Sequence, residues 1–409
     1  MLESSFQNLV AVNRLPDPLV VQLRKFTSSL QEQGYADETV RVKVKLVTNL
    51  VQWLKRNRFA VADLDEPRVE AFLKPRHREG MGDLRTLQQF LDHLRSQHVV
   101  PAPNLPVDRS PLAHLLNRYE THLRTERGLV AHTIVQYQTF VRKFLRERFR
   151  GRPLLPKAVK ASDISGFVLR YAHGMNVRRA QLMTTAFRSF FRFRFQKGEL
   201  QADLAASVPT VANWRLATVP KYLIRQEVER VLKACDRRTA VGRRDYAILL
   251  LLARLGLRAG EVVGLQLEDI NWRAGEILVR GKGLLHDRMP LPPEVGQALA
   301  SYLRRGRPAC RTRRVFVCSK APRRGFAHPS TLSTIVRRAL ARADLHPPLQ
   351  GAHLLRHSLA TSLLRSGATL REIAEILRHQ AVQTTEIYAK VDFESLRSLA
   401  HPWPMGGGQ

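Results

Sequence analysis

The sequence predicts a mainly α-helical protein with one small antiparallel sheet, and three observations carry that expectation. Apolar residues recur at helical spacing through most of the 409 residues, as in Leu46, Val47, Leu50 and Val51. Strand patterning is confined to one place: "GEILVRGKG" (Gly275–Gly283) and "DRMPLP" (Asp287–Pro292) read as a hairpin, with "LEDINW" a short strand before it. Proline-rich seams at Val99–Pro111 and Ala202–Leu223 break the helical pattern, since repeated prolines bar helix and favour extended chain. The seams divide the chain into residues 1–100, 108–208 and 218–400, with a tail at 391–409.

The first two pieces follow one plan. Leu30–Leu54 lies over Leu123–Glu147 with a one-residue gap, so that Gly34 matches Gly128 and Thr39 matches Thr133. The apolar set Leu46, Val47, Leu50, Val51 then falls on Phe140, Val141, Phe144, Leu145, and farther on Leu87, Phe90, Leu91 fall on Phe187, Phe190, Phe191. Each threonine is expected to cap the helix that follows it. Glycine, cap and apolar stripe in the same order point to an internal duplication. In the third piece, "RRDYAILLLLARLGLRAGEVVGL" (Arg243–Leu265) reads as helix, glycine turn and short helix. After the hairpin, helices are expected at 294–305, 329–343, 351–366, 369–378 and 381–390.

Charge narrows the function. Lys and Arg number 67 against 35 Asp and Glu, a formal net charge of +32. Such a surface attracts polyanions, and release of condensed counterions supplies salt-sensitive affinity for DNA or RNA. The charge is uneven: net +3 over residues 1–100, +13 over 101–216 and +16 over 217–409. Nucleic-acid contact is therefore expected mainly after residue 100. No apolar run reaches the ~18 residues of a membrane span, and the N-terminus lacks the pattern of a secretion signal. Cys235, Cys310 and Cys318 are too few and too scattered for a disulfide framework or zinc site. A cytoplasmic, nucleoid-associated protein without membrane partner, metal or other cofactor is the expectation.

Several residues are placed where a solvated surface charge is not the obvious explanation. Arg258 follows a strongly apolar helix in "GLRAGE"; Lys282 stands between glycines in "RGKG"; His353 and Arg356 are three apart in "HLLRH". His379 ends an apolar helix, and Tyr388 lies nine residues beyond it in "LRHQAVQTTEIYAK". Singly, each has an ordinary explanation in capping, ion pairing or core packing. Together they meet the needs of phosphodiester cleavage without a metal. Paired guanidiniums neutralise the non-bridging oxygens, a lysine protonates the leaving oxygen, histidines donate or accept protons, and a phenol attacks.

At this point the sequence resembles the tyrosine recombinase (phage-integrase) family, strongly over about 218–400 and more weakly over 108–208. "ARLGLRAGEVVGLQLEDI" resembles the first arginine box, "VRGKGLLHDRMPLP" the lysine hairpin, "HLLRHSLATSLLRSGATLREIAEILRH" the second box and "TTEIYAKV" the nucleophile segment. The resemblance implies tandem helical, SAM-like DNA-binding domains before a catalytic domain. It implies Arg258, Arg356 and His379 as phosphate ligands, Lys282 as general acid, His353 as its assistant, Glu261 as support for Arg258 and Tyr388 as nucleophile. A 3′-phosphotyrosyl bond would form and free a 5′-hydroxyl. Two departures stand out: Arg378 occupies a position that is often glycine in the family, and Leu354 one that is often acidic.

The same resemblance implies double-stranded recombination sites as substrate and a homotetramer on DNA. Val391–Pro404 would tie the subunits together, and other recombinases of the same bacterial mobile element are possible partners. Core-binding and catalytic domains would clamp the duplex. Arg178, Arg179, Arg188 and Arg192 in "RRAQLMTTAFRSFFRFRF", with Arg378, are the candidate DNA contacts, against the plainer explanation of an amphipathic core helix with solvated arginines. Integration, excision or transposition is the expected outcome. The alternatives are an accessory DNA-binding subunit of a multi-recombinase complex and a type IB topoisomerase-like activity; an architectural RNA binder explains only the charge.

Overall fold

The computed structural model describes residues 17–74, 81–102, 108–150, 152–153, 155, 158–212, 220–281, 286–379 and 384–391. Its packing separates two compact units, one of residues 104–217 and one joining 1–103 to 218–409. The 1–103 piece keeps a hydrophobic core of its own within that second unit.

Residues 17–102 form four helices, α1 (Asp17–Glu32), α2 (Asp37–Arg56), α3 (Glu66–Leu73) and α4 (Met81–Ser96). Helix α2 packs on α1 and α4, and α3 packs on α4. Leu23, Leu30, Val47, Leu50, Leu87 and Phe90 are fully enclosed between them. The 104–217 unit holds α5 (Pro111–Thr125), α6 (Ala131–Arg148), α7 (Ala161–Ala172) and α8 (Val177–Gln196). Its core is aromatic: Phe144 meets Phe167 edge-on at 5.3 Å between centroids, and Phe187 and Phe191 close the cluster. Edge-to-face rings add roughly 0.5–1.5 kcal/mol per pair beyond area burial.

The threonines do not cap these helices. Helix α2 starts after Ala36 and α6 after Val130, so Thr39 and Thr133 lie inside the first turn. What sets both starts is the preceding glycine in the left-handed region, Gly34 at φ 80° and Gly128 at φ 58°, which turns the chain before extended backbone leads into the helix.

The 218–409 body builds around α10 (Ala240–Arg254), whose Ile248–Leu252 run is entirely buried. Thr239 caps it, accepting from the Gly242 N–H at 2.9 Å. Helices α9 (Arg225–Lys233), α12 (Pro293–Arg305), α13 (Ser330–Arg342) and α14 (His353–Arg365) pack against it or its neighbours. Short α11 (Ala259–Gly264) follows the Gly256 turn. The sheet is three antiparallel strands in chain order, β1 (Ile270–Asn271), β2 (Glu276–Arg280) and β3 (His286–Pro290). Ile270 faces Ile277, and Arg280 faces His286 next to the hairpin tip.

Helix α15 (Leu370–Ile376) begins with a reciprocal capping box: Glu372 N–H donates to Thr369 Oγ1 and Thr369 N–H to Glu372 Oε2. The last expected helix, 381–390, differs. The described part is a 3₁₀ segment, Glu386–Val391, whose start is fixed by a Tyr388 N–H bond back to the Thr385 carbonyl.

Candidate active site

The site grows from the end of α10. Gly256 adopts φ 57°, and a Cβ there would stand 2.6 Å from Leu377 Cδ2 and 3.0 Å from Leu359 Cδ2. Only glycine lets the α14 and α15 side chains come this close. Two residues on, Arg258 takes the N-cap position of α11. Its backbone N–H donates to Glu261 Oε2 at 2.7 Å, and its Nη1 to Glu261 Oε1 at 2.8 Å. Its Nη2 donates to the Arg378 carbonyl at 3.0 Å.

Glu261 is a buried bridge, 5 % exposed at its side chain, pairing with Arg258 and, at 2.9 Å, with Arg378 Nη2. Burial alone would raise its pKa; the Arg258 N–H bond and the charges of Arg378 and Arg258 outweigh this and hold it below the usual value. The expected support for Arg258 is thus in contact with it.

Arg356, on α14, is 5 % exposed and donates to two main-chain carbonyls, Gly256 O and Leu377 O. It thereby ties the Gly256 turn to the end of α15. Burial, then the neighbouring charge of Arg258, pushes its pKa down to about 10, so the guanidinium keeps its charge at neutral pH. His353 opens α14 and is exposed.

Past α15 the chain turns through Arg378 at φ 53°, the left-handed position that usually favours glycine. His379 follows, its N–H bonded to the Ala374 carbonyl and its Nδ1 2.6 Å from the hydroxyl of fully buried Thr385. Burial, with the charges of Arg356 and Arg258, drives its pKa down to about 4. Tyr388 is 1 % exposed and packs with Ala360, Ile373 and Leu377.

Its hydroxyl lies 2.8 Å from Nδ1 of His357, a residue that the motif reading passed over. Burial lifts the phenol to about 12 against the opposing charge of Arg356. Nearby cations favour the phenolate and would lower the pKa of a phenol left in water. Here burial prevails, because one guanidinium in range does not offset removal from water. Burial first, then the charges of His353 and Arg356, brings His357 down to about 4. A neutral imidazole therefore faces a protonated phenol, and in the tautomer that leaves Nδ1 without a proton the phenol O–H donates to it. The motif "HLLRH" did contain this histidine. Helix geometry turns successive residues by about 100°, so Arg356 and His357 point to different neighbours, and only packing shows that one of them meets Tyr388.

The structure therefore brings Arg258, Glu261, Arg356, His379 and Tyr388 around the ends of α10, α14 and α15. Lys282 lies outside the described residues, as do residues 392–404 of the tail. The described neighbour of the hairpin tip, Arg280, is anchored by Asp269, a 3 % exposed carboxylate at 2.7 Å.

The candidate DNA contacts are scattered. Arg178, Arg179 and Arg192 are exposed on α8. Arg188 is half-buried and donates to Val208 O, Pro209 O and Thr210 Oγ1, tying down the second proline seam. Arg378 folds inward onto Glu261 with 9 % of its side chain exposed, so its guanidinium serves the bridge. Among the described residues no His, Cys, Asp and Glu cluster is arranged to hold a metal ion, and no helix is long and apolar enough to cross a membrane.

Proteins similar to this chain include named recombinases. The family model described as "Phage integrase family" matches residues 221–395, and "Phage integrase, N-terminal SAM-like domain" matches 116–198. A Sinorhizobium fredii protein named as an integrase/recombinase, y4rA, is 44 % identical over 400 residues, covering 96 % of this chain and 97 % of the relative. The tyrosine recombinase XerD of Listeria monocytogenes is 31 % identical over 282 residues, 68 % of this chain and 94 % of XerD. The structure of the XerH site-specific recombinase bound to its difH substrate shares the fold, with a TM-score of 0.57 at 21 % identity over 72 % of this chain and 90 % of XerH. Identity sustained along nearly the whole length of y4rA, together with two family models in the family's order, shows that this chain belongs to the phage integrase, or tyrosine recombinase, family, which cuts and rejoins DNA.

Proposed function

We propose that this chain is the strand-transferring recombinase of a mobile element, with Tyr388 as nucleophile and His357 as the group that receives its proton. One observation carries this reading: the Tyr388 hydroxyl is held 2.8 Å from a neutral imidazole nitrogen, within reach of the charge of Arg356. A phenol that stays protonated to about 12 attacks at neutral pH only if its proton has somewhere to go. In the cleavage step Oη bonds to phosphorus and its proton passes to His357 Nδ1. The bond from phosphorus to the 5′ oxygen breaks, and that oxygen takes a proton from the general acid, for which Lys282 is the candidate.

Arg258, Arg356 and His379 neutralise the non-bridging oxygens, and His353 assists at the exposed start of α14. The 5′-hydroxyl of a partner strand then attacks the phosphotyrosyl bond. Recombination sites of duplex DNA are the substrate, and we propose a homotetramer joined through residues 391–404. Integration, excision or transposition is the outcome in this reading.

The test is covalent capture. A library of nicked duplexes with randomised flanks is incubated with the chain, detergent-resistant adducts are sequenced, and the selected duplex is remade with Tyr388→Phe as control. An adduct present for the wild type and absent for the variant is the expected result. Selective binding without any adduct would instead identify an accessory DNA-binding subunit. Relaxation of supercoils without partner exchange would identify a topoisomerase-like activity.

A further inference from the structure

Residues 17–102 remain without a task in this reading, and the structure gives them one. The two four-helix bundles repeat each other helix for helix. In each, the second helix packs on the first and fourth and the third packs on the fourth. Residues that match in sequence are buried in both, Val47 with Val141, Leu50 with Phe144, Leu87 with Phe187 and Phe90 with Phe190. The shared fold makes the differences between matched surface positions meaningful.

Several positions that are cationic in the second bundle are neutral or acidic in the first. On α6, Arg142, Lys143 and Arg146 are exposed along an open hollow of about 780 Å³. Their counterparts on α2 are Thr48, which is buried, and Asn49 and Gln52, which are half-buried. On α8 and α4, exposed Arg192 is answered by exposed Asp92. Affinity for duplex rests on cations that displace condensed counterions. The first bundle keeps the framework and lacks the cations at these matched positions, the basic residues of α2, Arg41, Lys45 and Arg56 among them, falling at other places on that helix.

What it has instead is a partner. At the α1–α2 turn the Gln33 carbonyl accepts from the Arg323 N–H at 2.8 Å, and Glu32 pairs with Arg311. The Arg323 side chain lies directly on Gly34, where a Cβ would fall 2.3 Å from its Cδ. The matched glycine of the second bundle, Gly128, has nothing within 4 Å of the same virtual atom. The exposed ion pair contributes little by itself. The main-chain bond and the close approach at Gly34 define the contact.

We propose that residues 17–102 are a copy of the SAM-like bundle converted from duplex contact to protein contact, its partner being the Arg311–Arg323 segment of this chain's own catalytic body. This rests on the reading that the α6–α8 face of the second bundle meets DNA, and the experiment separates the two.

Binding of the full-length chain to a 30-bp duplex of arbitrary sequence is followed by fluorescence anisotropy across a salt series. Each lost phosphate contact lowers the slope of log K against log salt by about 0.9, so Arg142→Ala with Arg146→Ala should reduce it by about 1.8. The loss of two exposed cations from α2 of the first bundle, Lys45→Ala with Arg56→Ala, should leave it unchanged. An equal fall in the second pair overturns the proposal; no fall in the first pair overturns the DNA reading of the α6–α8 face instead.

Docking is read by hydrogen exchange at the Arg323 amide. Gly34→Val should accelerate it at least tenfold while the Leu50 amide in α2 stays protected. Gly128→Val, which imposes the same left-handed strain with no contact to lose, should not move it. An Arg323 amide that exchanges at the free-chain rate in the wild type, or equally in both variants, overturns the docking. If the Leu50 amide also loses protection in Gly34→Val, Arg323→Asp replaces it as the variant, with exchange at position 323 and at Leu50 read in the same way.

Discussion

His357 and His379 are both held neutral by burial and by nearby guanidiniums, and this fixes how the site responds to acid. Each has a folded-state pKa near 4, below the ~6.5 of an unfolded histidine. The unfolded chain therefore binds these protons first, and the two residues favour the folded state fully above pH 6.5. Their contribution declines as pH falls from 6.5 toward 4. Thermal unfolding scans should show the melting temperature dropping across that window, with a shallower drop in a His357→Asn, His379→Asn double variant. Activity gives a sharper reading of His357 alone. Asparagine accepts a hydrogen bond near the position of Nδ1 but cannot take up a proton. Single-turnover adduct formation should thus fall in His357→Asn as well as in His357→Ala, by roughly 10²-fold, the lower end of general-base effects. A His357→Asn variant with the wild-type rate would reduce His357 to a positioning residue.

At the scale of elements, the turn after α15 trades one backbone cost for one buried ion pair. Arg378 holds a left-handed conformation that costs a side-chain-bearing residue about 1–2 kcal/mol. It recovers this through Glu261, a carboxylate buried between α11 and that turn. Arg378→Gly removes the strain and also one partner of a buried charge. Glu261 keeps Arg258 as a partner, so the loss is smaller than the ~3–5 kcal/mol of a fully broken buried pair, and the variant should be less stable in urea unfolding by about 1 kcal/mol despite restoring the commoner residue. Gly256→Ala fails for the opposite reason. It adds a Cβ against Leu377 and Leu359 at a left-handed position, and should cost at least ~2 kcal/mol by the same measurement.

Most elements were legible because their periodicity is strong: the helices around Ile248, Leu299 and Val336 and the Ile277 hairpin lie within two or three residues of expectation. The misses were the threonine caps, the helix at 381–390 and the first half of "LEDINW", where Leu267–Asp269 is a 3₁₀ turn ahead of β1. The first depended on glycine turns that start the helices three residues early. The second gave way where Thr385 is drawn under His379, a contact that no local pattern contains.

For the whole molecule, charge and fold are distributed differently. The same four-helix plan occurs twice, yet the net charge is +3 over residues 1–100 and +13 over 101–216. Duplex affinity and its salt dependence should follow the second bundle and the catalytic body, while the first bundle follows Arg323. The chain by itself determined the family and singled out Arg258, Arg356, His379 and Tyr388, which stand in fixed order within specific motifs and which the structure brings together. It also determined which residues of the two four-helix bundles are buried, since an apolar stripe at helical spacing must be buried wherever it occurs. Only the tertiary structure decided which histidine meets the phenol, since neighbours on a helix face different surroundings. It alone turned Arg378 inward, because its carboxylate partner lies 117 residues away in the chain. Spacing along a chain fixes which side chains are available, and burial and long-range pairing fix what each one touches.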